Sequence, residues 1–466
     1  MENPVFVVTG APNKGKSTLV KALTNDESIE INPTAGTTIK SKAYPMKVDQ
    51  KVMYTIWDTP GFENARGLSE ILKEWGIESY KDDPLDLFRR FYKQYRDHED
   101  FKNEIEIFKP IVQYAGIVYV ADSSKPFNQS KYIREIELLK WTGLPRIAIL
   151  NPIDGTEHLG EWQRQLDRHF RIVKVFNPHK TSFHEKLRLL DAFSHLNPEW
   201  ENKVLEAIEA LKKNHELALK KTSVTIRKAV LEAYRKSFST PTDDLHTKEE
   251  YTRILFENVR DYIGGILDES QREIVRHYGF KEQHVQMDFD LNESDVMDEV
   301  VMRKYITPWQ RGLIGSLTGA GAGAALDVAA GGLTFGVFAA LGGAAGAGSA
   351  YLSNKFDPMD LLKDVKRKNN RYEVERLHPE LGYLIINRLR ELASKIRNKT
   401  AANQDTITIE YNFDKMTTMK LTRVLKNVIK QGKNYYKEEI KQELGDIIYK
   451  QLQEDQKQEA EKRYSQ

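Results

Sequence analysis

Val5-Phe6-Val7-Val8-Thr9-Gly10-Ala11-Pro12-Asn13-Lys14-Gly15-Lys16-Ser17-Thr18-Leu19-Val20-Lys21-Ala22-Leu23 is the stretch that decides the fold. Its first five residues are β-branched or aromatic and predict a strand. From Thr18 to Leu23 the chain reads as a helix. Between the two, Gly10 to Ser17 fits the spacing GxxxxGK[ST], in the strand, loop, helix context that phosphate binding requires. The glycines let backbone N–H groups curl around phosphate oxygens, Lys16 adds a point charge near the β- and γ-phosphates, and the Ser17 hydroxyl ligates Mg²⁺. Gly10, Asn13, Lys14, Gly15, Lys16, Ser17 and Thr18 are therefore the candidate nucleotide-binding residues here.

Further pieces follow in the order that a nucleotide switch needs. The apolar runs Met53–Trp57, Ile117–Ala121, Ile147–Leu150 and Ile172–Phe176 alternate with helical stretches and, with Val5–Thr9, predict an α/β domain with a mostly parallel sheet. Ala35-Gly36-Thr37-Thr38 lies in a polar loop where a threonine can close over the γ-phosphate and Mg²⁺. After the second run comes Asp58-Thr59-Pro60-Gly61, where Asp58 would hold Mg²⁺ through water and the Gly61 N–H would meet the γ-phosphate. After the fourth stands Asn151-Pro152-Ile153-Asp154, an Asn-Lys-x-Asp guanine motif with proline in the lysine position. Asp154 can pair with the guanine N1–H and exocyclic amine, donors that adenine does not present there, so GTP and GDP are expected rather than ATP. The lysine stem that would cover the base is missing. No Ser-Ala base loop is recognisable in Asn177-Pro178-His179-Lys180.

Gly-x-Pro-Asn-x-Gly-Lys-Ser, Gly-Thr-Thr and Asp-Thr-Pro-Gly in sequence resemble the Era/TrmE-like group of translation-factor-class GTPases, over about residues 1–195. Within that group the chain resembles bacterial GTPases whose C-terminal domain, of unknown function, contains a glycine-rich hydrophobic tract. The resemblance implies Mg²⁺-dependent hydrolysis of GTP, with Lys16, Thr38 and Gly61 in catalytic roles and Ser17, Thr38 and Asp58 at the metal. It also implies that Asn13 helps to hold K⁺, although an asparagine is equally at home in a loop of unusual φ and ψ. The chain departs from the group in Ile39-Lys40, where Arg-Asp often follows the threonines. Phe62 stands where Ras-type enzymes carry a water-orienting glutamine, and Glu63 is the nearest acid. The water-orienting group stays open.

With 466 residues the chain is expected to form two or three domains, divided here as 1–198 and 199–466. Its 70 basic residues balance 68 acidic ones, which gives no reason to expect a nucleic-acid partner, and no cysteine is present for disulfides or thiolate metal sites. The N-terminus lacks the basic region of a signal peptide, so the expected location is cytoplasmic. Residues Glu78 to Lys109, with Leu85, Phe88, Tyr92 and Tyr95 on one helical face, read as an elongated helix pair packed on the sheet in preference to a dedicated partner-binding insert. Beyond Pro198 the pattern is largely α-helical, apart from two alternating segments, Val285–Leu291 and Thr406–Phe413, that are placed to pair with each other. The helical tail is expected to pack or to form a coiled coil.

Between those segments lies a Gly/Ala-rich tract, Gly312 to Leu352, with Asp327 as its one charged residue. Gly315, Gly319 and Gly323, then Gly332, Gly336, Ala340, Ala344 and Gly348, recur every fourth residue, the pattern that lets helices approach closely. A helical hairpin over 312–353 would reach about 30 Å per arm, roughly one bilayer core. Arg303, Lys304, Tyr305, Trp309 and Arg311 before it, and Tyr351, Phe356, Lys363, Lys366, Arg367 and Lys368 after it, suit two cytoplasmic ends. Two readings stand: a nucleotide switch associated with the inner face of the cell membrane and self-assembling through the tract, or a soluble Era-like GTPase acting on a protein or RNA partner. A buried soluble hairpin is the bland account of the tract.

Overall fold

The computed structural model describes residues 3–24, 29, 38–48, 50–242, 247–280, 287–288, 362–368, 370–399, 407–408, 419–431 and 437–464. The expected hairpin over 312–353 and Ala35-Gly36-Thr37 lie outside these residues. The chain divides into two compact units, one of Met1–Glu216 with Arg397–Asp405 and one of Leu217–Ile396 with Thr406–Gln466.

In the first unit β1 (Val5–Thr9), β2 (Lys42–Val48), β3 (Lys51–Asp58), β4 (Gly116–Asp122), β5 (Arg146–Asn151) and β6 (Val173–Val175) form one sheet in the order β2-β3-β1-β4-β5-β6. All neighbours run parallel except β2, which pairs antiparallel with β3. Strand geometry sends alternate side chains to opposite faces, and both faces are covered. Phe6 and Val8, Val118 and Val120, and Ile147 and Ile149 enter one apolar core, while Val7, Ile117, Tyr119, Ala148 and Leu150 enter the other. The first core is closed by α1 (Lys16–Thr24), α7 (Phe183–Ser194) and the start of α8 (Pro198–Ala233). On the other face lie α2 (Ala65–Glu74), α3 (Leu85–Gln94), α4 (Lys102–Ile111), α5 (Gln129–Trp141) and α6 (Leu159–Leu166).

Strand β2 is absent from the sequence reading, and its composition explains why. Pro45 removes a ladder donor, which a strand tolerates at a sheet edge, and β2 is at that edge. The segment from Glu78 to Lys109 does contain a helix pair: Leu85 and Phe88 of α3 are buried, and Phe88 stacks on Phe108 of α4 with ring centroids 4.8 Å apart. The two helices are short and separate.

The second unit is mainly helical. Its core takes Ile226 and Val230 from α8, Leu255, Ile263 and Leu267 from α9 (Lys248–His277), and Ile385, Leu389 and Leu392 from α10 (Glu380–Arg397). Leu421, Leu425 and Val428 of α11 (Met419–Lys430) and Leu444, Ile448 and Leu452 of α12 (Glu438–Tyr464) complete it, so the tail packs. Thr247 and Glu250 form a capping box that starts α9. Strands β7 (Phe238–Pro241), β9 (Leu362–Lys368) and β10 (Arg371–Leu377) form an antiparallel sheet with β10 in the centre. The two alternating segments do meet: β8 (Met287–Asp288) pairs in parallel with β11 (Ile407–Thr408). Among the described residues, no helix is long and apolar enough to cross a membrane.

Candidate functional site

The loops that leave the carboxyl ends of β1, β3, β4 and β5 bring the sequence motifs to one edge of the parallel sheet, where ligands bind in open α/β folds. The first loop needs its glycines. Gly10 has a φ of 135°, and a Cβ there would lie 2.4 Å from the Val120 carbonyl oxygen. Gly15 has a φ of 86°, and its Cβ would meet Asn151 Nδ2 at 2.4 Å. Asn13, exposed and also left-handed with a φ of 57°, occupies a conformation that asparagine tolerates better than most residues. The loop runs directly into α1, whose first N–H groups have no partner within the helix and favour anions. Thr18 is buried in its first turn.

Lys16 is buried and folds back on its own loop, donating to the carbonyl oxygens of Ala11 at 2.8 Å and Gly10 at 3.3 Å. Burial lowers its pKa to about 8, against the opposing attraction of Asp58. Beside it three oxygens converge from three separate segments. The Ser17 hydroxyl donates to Asp58 Oδ2 at 2.7 Å, Thr38 Oγ1 donates to the same oxygen at 3.3 Å, and the two hydroxyls lie 3.2 Å apart. Asp58 is 3% exposed, and its other oxygen, Oδ1, is buried without a hydrogen-bond partner. Burial pushes this carboxyl above the usual carboxylate range, while Ser17, Lys16 and Thr38 pull it down. One carboxylate and two hydroxyls, with a buried acceptor left over, are hard oxygen donors of the kind that suit Mg²⁺. Among the described residues no cluster of three or more His, Cys, Asp or Glu forms an alternative metal site.

Gly61 touches the phosphate loop: a Cβ there would lie 2.4 Å from Pro12 N. The next amide, Phe62 N–H, donates to the Gly10 carbonyl at 3.2 Å, and the Phe62 ring is buried in the core near Phe108. A side chain committed to the core cannot orient water. At the other end of the site Asn151 is 2% exposed and donates from Nδ2 to the Lys14 carbonyl at 3.2 Å, tying the base loop to the phosphate loop. Asp154 is exposed on the same loop. The structure thus gathers Gly10, Lys14, Gly15, Lys16, Ser17, Thr38, Asp58, Gly61 and Asn151 into one contact network, and sets Asp154 and Asn13 at its surface.

Several participants are absent from the sequence reading. Asp122, which ends β4, holds the Lys14 ammonium in a buried ion pair at 3.1 Å. Asn177 Nδ2 donates to the Pro152 carbonyl at 3.0 Å, placing the loop after β6 beside the base loop although no motif marks it. Glu104 Oε1 accepts from the amides of Glu63 at 2.8 Å and Asn64 at 2.7 Å, and Asn103 donates to the Gly61 carbonyl at 3.2 Å. A charged residue interrupting the apolar run of α4 was the available signal for Glu104.

Residues 5–152 match the family model described as 50S ribosome-binding GTPase, and residues 163–463 match that described as a domain of unknown function (DUF3482). No curated protein matches the chain. Among solved structures, a variant of SsGBP is 16% identical with a TM-score of 0.22, over 38% of this chain and 51% of that one. A variant of Aquifex aeolicus Era bound to GDP.AlF4- is 14% identical with a TM-score of 0.26, over 60% of this chain and 100% of that one. NFeoB from S. thermophilus bound to GDP.AlF4- and K⁺ is 14% identical with a TM-score of 0.26, over 59% and 98%. Likenesses this loose carry no argument about function. The family match and the sheet together identify the N-terminal region as a P-loop GTPase domain, the kind of domain that binds and hydrolyses GTP.

Proposed function

The chain belongs to the family described as a domain of unknown function (DUF3482), and we propose that this member is a Mg²⁺-dependent guanine-nucleotide switch that passes its nucleotide state to its helical C-terminal region. The observation that carries the reading is the convergence of Ser17 and Thr38 on Asp58 beside Lys16. Lys16 turns from its own loop carbonyls to the β- and γ-phosphates. Ser17 and Thr38 would offer hydroxyl oxygens to Mg²⁺, and Asp58 would hold it by its negative charge. Bound Mg²⁺ supplies neutralisation of the charge that develops between the β- and γ-phosphates. The Gly61 N–H meets the γ-phosphate, Asn151 braces the phosphate loop, and Asp154 reads the guanine edge. The Lys14–Asp122 pair gives this loop a second brace.

Displacement of a fluorescent GDP analogue tests the assignment: GTP and GDP should compete in Mg²⁺, ATP should not, and equal competition by ATP would overturn it. Support for K⁺ stimulation comes from the family resemblance at Asn13, and the positive φ there gives an independent reason for asparagine. Turnover that is unchanged when Na⁺ replaces K⁺ removes the ion from the account. The repeat of small residues in Gly312 to Leu352, with its basic and aromatic flanks, supports an output at a membrane or through self-association. Flotation with liposomes in GDP and in a non-hydrolysable GTP analogue tests that branch. A chain that floats in neither state and sediments as the same species in both acts on a protein or RNA partner instead.

A further inference from the structure

Between β3 and β4 the chain carries three α-helices, and the last of them, α4, has two carboxylates in an otherwise apolar run: Glu104-Ile105-Glu106-Ile107-Phe108. At about 100° per residue, side chains two apart on a helix leave it on nearly opposite sides. Ile105, Ile107 and Phe108 are buried in the core of the first unit, so α4 is fixed in place and its carboxylates reach out to either side.

On one side Glu104 accepts the backbone N–H groups of Glu63 and Asn64, which begin two residues after Gly61. Asn64 also caps α2, its Oδ1 accepting from the Gly67 amide at 3.1 Å, so this short segment is defined at both ends. Phe62 packs towards Phe108 of the same helix, and Asn103 holds the Gly61 carbonyl. On the other side Glu106 Oε2 accepts from the Ser41 amide at 2.8 Å and the Ser41 hydroxyl at 2.5 Å, three residues after Thr38. Hydrogen bonds from backbone N–H to a carboxylate are short and strong compared with neutral pairs. One rigid helix thus grips the exit of the loop that carries Thr38 and the exit of the loop that carries Gly61.

We propose that Glu104 and Glu106 are positioning residues of the hydrolytic site, setting Thr38 and Gly61 in mutual register through α4 so that both close on the γ-phosphate together. The proposal rests on the functional reading above and deepens it. Neither carboxylate lies in the phosphate loop or the base loop, so their removal should affect the rate of the chemical step and spare the binding of GDP, whose contacts are made elsewhere.

The test is single-turnover GTP hydrolysis by the full chain, alongside GDP affinity. Glu106→Ala is expected to lower the rate by about tenfold while GDP affinity stays within about twofold, the pattern of a lost positioning contact. Glu106→Gln keeps an acceptor for Ser41 and should restore the rate to within about threefold of wild type. Ser41→Ala in the Glu106→Ala background should cost nothing more, because the carboxylate that accepts the Ser41 hydroxyl is already gone. Glu104→Ala should slow hydrolysis at least as far, and if that variant does not fold, the Glu106 series decides alone. A wild-type rate in Glu106→Ala, a Gln variant as slow as the Ala variant, or multiplying effects of Ser41 and Glu106 would each overturn the proposal. A wild-type chain that neither binds nor hydrolyses GTP would instead bring down the functional reading, and the proposal with it.

Discussion

The two units bury their polar groups in different company. In the first, Lys14, Lys16, Asp58, Asp122 and Asn151 are buried and converge on the loops at one sheet edge, and both Asp58 and Asn151 keep a buried oxygen without a partner. In the second, charged pairs such as Arg390 with Asp455 and Arg423 with Glu443 join neighbouring helices, and buried polar side chains such as Thr225, Gln271 and Arg388 are set in helices around an aliphatic and aromatic core from Leu219 to Leu452. Buried polar atoms without partners occur there too, on Thr222, Gln271 and Gln451, but within helices rather than on loops gathered at a sheet edge. Convergence is what separates a site from incidental burial. A fold tolerates scattered polar atoms singly, whereas several converging ones are sustained by the chemistry they perform.

Substitutions in the two units should therefore fail in different ways. The largest effect is expected from Leu389→Ala in the second core, about 2–5 kcal/mol of stability by the usual scale for a buried leucine. Below the melting transition its GDP affinity should match wild type, and denaturant unfolding with parallel nucleotide titration checks both halves. A loss of affinity without a loss of stability would break the contrast. Lys16→Ala should do the reverse, weakening GTP binding by about 100-fold, the scale of charge-assisted contacts worth about 3 kcal/mol, with little change in the melting temperature. Calorimetric titration decides that case. Asp154→Asn should weaken guanine binding by about tenfold and narrow the preference for GTP over ATP, measured by competition.

The smallest effect concerns acid stability. In the second unit the Thr225 hydroxyl lies 2.9 Å from Glu273 Oε2 and 3.0 Å from His277 Nε2, and burial lowers the His277 pKa. With the folded pKa below the unfolded one, the unfolded chain binds more protons in the window between them. Stability contributed by neutral His277 is therefore full above about pH 6.5 and is lost as pH falls through that window. Urea midpoints should drop on acidification more in wild type than in His277→Gln. Equal drops would show that His277 contributes nothing to the acid response.

How far the sequence carried each region follows from the range of the interactions. The first strand, phosphate loop and helix were legible because strand propensity, glycine spacing and helix pattern agree within Val5–Leu23. Strand β2 was not, since Pro45 breaks the pattern and only its edge position excuses it. Lys16, Ser17 and Asp58 were legible as motifs. Asp122, Glu104 and Glu106 were not, because their partners stand 108, 41 and 65 residues away, and the one local sign, carboxylates interrupting the apolar run of α4, does not say what they hold. The pairing of β8 with β11 was legible from alternation alone, across a long separation, because the rest of that region reads as helix.

The central claim is that the converged edge of the first unit is a guanine-nucleotide hydrolase site, and phosphate release from saturating GTP tests it most directly. Wild type should release phosphate from GTP slowly in Mg²⁺, stop in EDTA and leave ATP untouched, and Asp58→Asn should lose most of the rate. Equal release from ATP, or release from GTP that survives both EDTA and Asp58→Asn, would contradict the account.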